Sequence, residues 1–228
     1  MKNIKAKEII NIILDLIKKH YISIVQLTIA LFIVYLQFSK ERPSIIQVGN
    51  IGERSLYVSW ITGKQNRSCL FAHTDKFNQF RFACESINKT RTHLLEIKNL
   101  TPDTNYSIYI ISGTKTTKYS QKVKTITQRE EAPQLPEPAY GVVVDEEGVG
   151  IPGAIVTISP ATPEYHHPVI TETNSFGNFS VDISPIMYKA DKLFIRAVGN
   201  LNLDGQQLID QKIHAPFPPI RVEKTFNE

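Results

Sequence analysis

Hydrophobic and polar positions follow two rhythms along the chain. From Tyr21 to Phe38 the sequence YISIVQLTIALFIVYLQF carries no charge, and its polar positions are Ser23, Gln26, Thr28 and Gln37. A helix needs about 20 apolar residues to cross a bilayer, with a lower limit of about 17, so this segment predicts one transmembrane helix. After Pro43 the period changes to two. Leu56, Val58 and Trp60 share one face of SLYVSW, and Asn105 to Ile110 alternates as well. Gly63, Asn66, Asp75, Asn88 and Asn99 punctuate the runs, which predicts strands near 44–50, 55–60, 67–73, 80–85, 92–97, 105–112 and 119–126. Further strands are predicted at 139–145 and 154–158, then a hairpin of 169–173 with 179–183, then 192–198, 207–213 and 219–226. The pattern predicts an all-β protein: two tandem β-sandwiches behind one N-terminal transmembrane helix.

Flanking charge orients the helix. Lys2, Lys5, Lys7, Lys18 and Lys19 precede it, whereas Lys40 and Arg42 follow it around Glu41. The positive-inside rule places residues 1–20 in the cytoplasm and the C-terminal domains outside it. Tyr21 and Tyr35 lie near the ends, at interfacial depth. The stretch Ile9 to Ile17, interrupted by Asn11 and Asp15, suits an amphipathic interfacial segment. The exit, Phe38-Ser39-Lys40-Glu41-Arg42-Pro43, has no Ala-x-Ala-like cleavage site. An uncleaved signal anchor over 21–38 is therefore expected, with a cleaved signal peptide and a buried soluble helix as the alternatives.

Residues 128–138, QREEAPQLPEP, carry charge and three prolines without apolar periodicity. That composition suits a semi-rigid linker and divides the chain into domains at 43–127 and 139–228. The net charge is +4, with much of the basic excess near the N-terminus, so nucleic-acid binding is not expected.

The first domain resembles the fibronectin type III family. The residues that carry the resemblance are Trp60 after SLYVS, the turn Leu100-Thr101-Pro102-Asp103-Thr104, and Tyr106 in NYSIYI. The resemblance implies an immunoglobulin-like sandwich with Trp60 in its core, and a tyrosine corner in which the Tyr106 hydroxyl ties back to the backbone. It implies no particular ligand, and there is no Arg-Gly-Asp. Strand 67–73 pairs with 80–85 through the turn Asp75 to Asn78, so partners sum to 153 and Cys69 faces Cys84. Opposed Cβ atoms lie about 4.5–5.5 Å apart, near bridging range. A cross-strand disulfide would imply an oxidising compartment; two independent small buried residues satisfy the same pattern.

The second domain resembles the carboxypeptidase regulatory-like, transthyretin-related sandwiches. The matching residues are Gly141-Val142-Val143, Gly148, Ile151-Pro152-Gly153-Ala154-Ile155-Val156, then Thr173, Gly177, Asn178 and Phe179. The resemblance implies turn glycines at Gly153 and Gly177, and core positions at Ala154, Val156 and Phe179. After Pro185 the chain departs from the family's final strand, and the tail is a candidate partner surface. Pilin-type repeats with isopeptide bonds are also similar, but their late glutamate strand is not recognisable.

Chemistry is sparse. His166 and His167 are adjacent, so on a strand they would point to opposite faces. Asp145, Glu146 and Glu147 suit a solvated turn better than a calcium site. Sequons occur at Asn66, Asn88, Asn105 and Asn178. No zinc, Walker, dinucleotide or hydrolase motif occurs, so no catalytic, cofactor or metal residues are expected. The expected function is a membrane-anchored extracytoplasmic scaffold or adhesion protein that presents two binding modules to a protein or glycan. The alternatives are an accessory structural subunit of an envelope complex (secretion, pilus or cell wall) and a carbohydrate-processing or other enzyme accessory.

Overall fold

The structure is a computed structural model of the chain, and it describes residues 42–74, 79–86, 90–128, 135–162, 167–186, 190–200, 203–210 and 215–224. These belong to a compact unit, Glu41–Glu228. The expected interfacial segment 1–20 and transmembrane segment 21–38 lie outside the described residues. Among the described residues no helix is long and apolar enough to cross a membrane.

The first sandwich packs two antiparallel sheets. One holds β1 (Ser44–Gly49), β2 (Leu56–Asn66) and β5 (Thr90–Ile97) in the order β1-β2-β5. The other holds β3 (Ser68–Thr74), β4 (Gln79–Cys84), β6 (Asn105–Ser112) and β7 (Lys115–Lys124) in the order β4-β3-β6-β7. Three strands on four in this order is a fibronectin-III-like β-sandwich. The alternating apolar positions meet between the sheets: Leu56, Val58 and Trp60 from β2, Leu70 and Ala72 from β3, Ile108 and Ile110 from β6. Two strands of this sandwich exceed their expected bounds by four residues or more. Strand β2 continues to Asn66 because its ladder with β5, irregular after Ile61, resumes at Asn66–Thr90. Strand β7 starts at Lys115 because Ser112 pairs with Lys115 across a tight turn, in which Gly113 has φ 58°.

A chain of buried side chains satisfies the Trp60 indole, although Asn66 Nδ2 at its end finds no partner among the described residues. Trp60 Nε1 donates to Ser112 Oγ at 3.2 Å, Ser112 lies 2.9 Å from Ser68 Oγ, and Ser68 Oγ donates to Asn66 Oδ1 at 2.9 Å. A buried indole needs such a partner.

The second sandwich packs β8 (Pro138–Val144), β11 (Asn178–Asp182) and β14 (Ile220–Arg221) against a five-stranded sheet. That sheet runs β10 (Val169–Glu172), β9 (Ile155–Pro160), β12 (Lys192–Gly199), β13 (Leu203–Asp210), β15 (Glu223–Lys224). The sequence predicts a hairpin of 169–173 with 179–183; the structure corrects this. The turn closes as a hairpin would, with Asn174 N–H donating to Asn178 O at 2.8 Å. The strands then part, β10 pairing with β9 and β11 with β8, so the turn is a corner between layers. The crossing is tight: a Cβ on Gly177 would lie 2.6 Å from the Val143 carbonyl oxygen, and its φ is 78°. Only glycine meets both demands. The tail also differs from expectation. Strand β13 begins at Leu203, and the last segment divides between sheets, with β14 parallel to β8 and β15 antiparallel to β13.

The two cores are separate, yet the sandwiches are joined side by side. In β9 both faces are buried. Ala154, Val156 and Ile158 enter the second core, whereas Ile155 and Thr157 point the other way. On that outer side Thr157 Oγ1 donates to Gln47 Oε1 of β1 at 2.6 Å, and β5 Thr92 Oγ1 donates to the Gly153 carbonyl at 2.7 Å. The first sandwich answers with the outer face of β1-β2-β5, where Ser59 is only 1% exposed. Asn50 completes the joint. Its side chain donates to Ile170 O at 2.8 Å and accepts from Ile170 N–H at 2.6 Å, while its own N–H donates to Pro168 O at 3.0 Å. The amide thus pairs with the free edge of β10 as a neighbouring strand would. Asn50 adopts φ 46°, a left-handed conformation that asparagine tolerates better than most residues. Next to it, a Cβ on Gly49 would fall 2.2 Å from Pro168 O.

Asn50→Ala should cost about 2–4 kcal/mol, because it strands two buried backbone groups of Ile170. Urea unfolding of residues 41–228 measures this. A loss within error of zero would show that the edge is satisfied without Asn50.

Candidate binding surface and the buried joint

Alternation fixes what faces solvent on the sheet β4-β3-β6-β7. Ser68, Leu70, Ala72 and Thr74 of β3 point inward, so Cys69, Phe71 and His73 point out. Pairing with β4 opposes Cys69 to Cys84, Phe71 to Phe82 and His73 to Phe80. The cysteines form a disulfide, Cα–Cα 4.1 Å. The phenylalanine ring centroids lie 6.1 Å apart, and His73 stacks on Phe80 at 4.7 Å. Pairing with β6 and β7 extends the middle row to Tyr109 and Lys118, whose ammonium lies 5.6 Å from the Tyr109 ring centroid. The face is an open aromatic platform, with Phe80 59% and Phe82 71% exposed. At the edge, Arg81 donates through Nε to Asn99 O at 2.9 Å and through Nη1 to Phe80 O at 3.0 Å. That covers part of the outer edge of β4, which pairs with β3 on its other side.

A second assembly is buried beside the joint. Glu85 accepts from Ser68 N–H at 2.9 Å through Oε2, and its Oε1 lies 2.6 Å from His93 Nδ1. A carboxylate only accepts, so Nδ1 carries the proton. His93 Nε2 lies 2.9 Å from Thr62 Oγ1, and Trp60 stacks on the imidazole at 5.1 Å. Acid, imidazole and hydroxyl in that order can serve nucleophilic catalysis. Here His93 is 0% exposed, and the Thr62 hydroxyl donates to Lys64 O at 2.8 Å. The arrangement therefore supports the joint. Glu172, at the end of β10, reaches the same region: Gly153 lies between its carboxyl group and the Thr92 hydroxyl. Glu172 is exposed at the end of β10, and the partial desolvation of its carboxyl pushes it up, the nearby Glu85 pushes it further, and His93 pulls it back.

The sequence-predicted residues fall in two places. Trp60, Leu100 and Tyr106 are buried in the first core. The Tyr106 hydroxyl accepts from Thr101 N–H at 2.9 Å, and Pro102 O accepts from the Thr104 hydroxyl at 2.9 Å. Ala154 and Phe179 are buried in the second core; Gly153 and Gly177 occupy turns with positive φ. These eight residues build two cores and converge on no common site. Asp145 Oδ1 accepts from Val149 N–H at 2.7 Å, capping its own turn, and Glu146 and Glu147 are exposed. His166 lies outside the described residues. Among the described residues no group of three or more His, Cys, Asp or Glu is placed to hold a metal. Of the sequons, Asn66 is buried, and Asn88 lies outside the described residues.

Asn50, Gln47, Thr92, Thr157, Glu85, His93 and Glu172 were not anticipated. The run Ala154 to Ile158, apolar except at Thr157, is a signal for burial on both faces of β9. The platform was foreshadowed by the register that opposed the cysteines, since Phe71–Phe82 belongs to the same ladder.

No protein-family model matches the chain, and no curated protein matches it. Solved structures with partial similarity include the FN1-FN3 domains of chicken CNTN1, at 15% identity over 79% of this chain and 64% of that one, TM-score 0.31. A two-domain fibronectin type III segment of chicken tenascin aligns at 13% identity over 74% of this chain and 98% of that one, TM-score 0.32. The major pilin subunit BcpA of Bacillus cereus aligns at 9% identity over 81% and 71%, TM-score 0.26.

Two outcomes are expected. Reducing Cys69–Cys84 should cost about 2–3 kcal/mol in denaturant unfolding, and unchanged stability would mean that the hairpin is held without it. Glu172→Gln should stabilise the protein at neutral pH. The raised carboxyl binds its proton more tightly when folded, so its contribution is present at low pH and lost as pH rises from 4.5 through the raised value. The variant should flatten that part of the stability profile; a profile identical to the parent's would remove Glu172 from the joint's energetics.

Proposed function

We propose that the chain is a membrane-anchored extracytoplasmic scaffold that holds two β-sandwich modules as one body and presents them to a protein or glycan partner. The observation that carries the reading is the joint. Two independent binding modules on a string need no strand-like pairing between Asn50 and Ile170, whereas a scaffold that fixes the spacing and angle of two surfaces does. The disulfide supports an oxidising compartment. The uncharged segment 21–38, with five lysines before it, supports an N-in, C-out anchor. The second sandwich is read as carboxypeptidase regulatory-like, on the turn at Gly153 before buried Ala154 and the turn at Gly177 before buried Phe179. In this reading the chain catalyses no reaction, since its acid–imidazole–hydroxyl assembly is closed to substrate.

Protease treatment of intact cells should release a fragment containing both sandwiches together. Complete protection would overturn the topology. Release of the two sandwiches as separately folded pieces that do not associate would overturn the single-body scaffold. A pull-down from envelope extract with residues 43–228 should recover a defined partner.

A further inference from the structure

We propose that the outer face of the sheet β4-β3-β6-β7 docks on an anionic lipid surface. The proposal deepens the anchored reading above, and it is tested without segment 21–38 so that the two can fail separately.

The first sandwich has two outer faces. That of β1-β2-β5 is taken by the second sandwich. The opposite face, open among the described residues, carries two prominently exposed phenylalanines, Phe80 and Phe82, beside Phe71, Tyr109 and the Cys69–Cys84 disulfide. The charge is one-sided. The outward positions of these strands carry Lys118, Lys122 and Lys124 and no Asp or Glu, whereas Arg81 and Lys115 alternate to the other side. Lys124 is paired with Asp103 at the sheet's end, whereas Lys118 lies against the Tyr109 ring, in the middle row with Phe71 and Phe82. Protruding aromatic rings among cations match the interfacial zone of a bilayer. The rings enter the boundary between headgroups and acyl chains, and the ammonium groups meet phosphates. A second copy is a poor occupant, because two such faces would oppose like charges.

The layering fits the same orientation. With the platform on the bilayer, the β1-β2-β5 sheet lies about 10 Å further out, and the second sandwich beyond it, directed away from the membrane.

The test is flotation of residues 41–228, the compact unit that contains both cores, with phosphatidylcholine vesicles with and without phosphatidylglycerol. The fragment should float with the anionic vesicles, weakly with the neutral ones, and less as salt is raised. Phe80→Thr with Phe82→Thr should reduce the partitioning about tenfold or more. Lys118→Glu should reduce it about tenfold. These positions are exposed strand sites, and unchanged thermal unfolding by circular dichroism would confirm that each variant folds. Absence of binding to anionic vesicles overturns the proposal, as does binding that the variants leave unchanged. Capture by heparin or an oligonucleotide without flotation would assign the face to a soluble polyanion instead. Membrane extraction of the full-length chain reports separately on the anchor.

Discussion

The edge of β10 is the constraint on which the architecture depends. An edge strand presents unpaired backbone groups that water, another strand or a side chain must satisfy. Here the corner at Asn174–Gly177 sends β11 into the opposite layer, so among the described residues β10 has a strand partner on its β9 side alone. Asn50 supplies the other side with one amide group, which accepts and donates as a peptide unit would. Because the hydrogen bonds lie in a buried joint, leaving them unmade would cost more than their formation gains. The asymmetry makes one relative placement of the sandwiches much better than its neighbours.

Everything near the joint conforms to that placement. Gly49 is the residue whose missing side chain admits the Pro168 carbonyl. Thr157 and Thr92 spend their hydroxyls across the boundary, on Gln47 and on Gly153. The Glu85–His93 pair is buried where Glu172 approaches, so the boundary also contains ionisable groups whose mutual influence depends on both modules being in place. The result is a layered body with one face of the first sandwich consumed internally and the other, aromatic and basic, left open.

Much of this was legible in the sequence, for local reasons. Period-two alternation identified strands such as β3 and β4, whose residues alternate between an inner face and an open one. The turn around Pro102, with Tyr106, located the corner at which Tyr106 accepts from Thr101. The register opposing Cys69 to Cys84 followed from the turn length alone. What was not legible is non-local. The predicted hairpin of 169–173 with 179–183 used the same turn residues that the corner uses; only the competition of β9 and β8 for partners separates the two outcomes. Nothing about Asn50 marks it as a surrogate strand, since its partner lies 120 positions away. The short strands β14 and β15, two residues each, have no periodicity to detect.

Hydrogen–deuterium exchange at the Ile170 amide tests the central claim most directly. If Asn50 joins the sandwiches into one body, that amide should be protected to nearly the same degree as core amides of β9, although it points away from β9, the strand with which β10 pairs. Exchange at the rate of an open edge strand, with the β9 amides still protected, would contradict the account and leave two sandwiches that move independently.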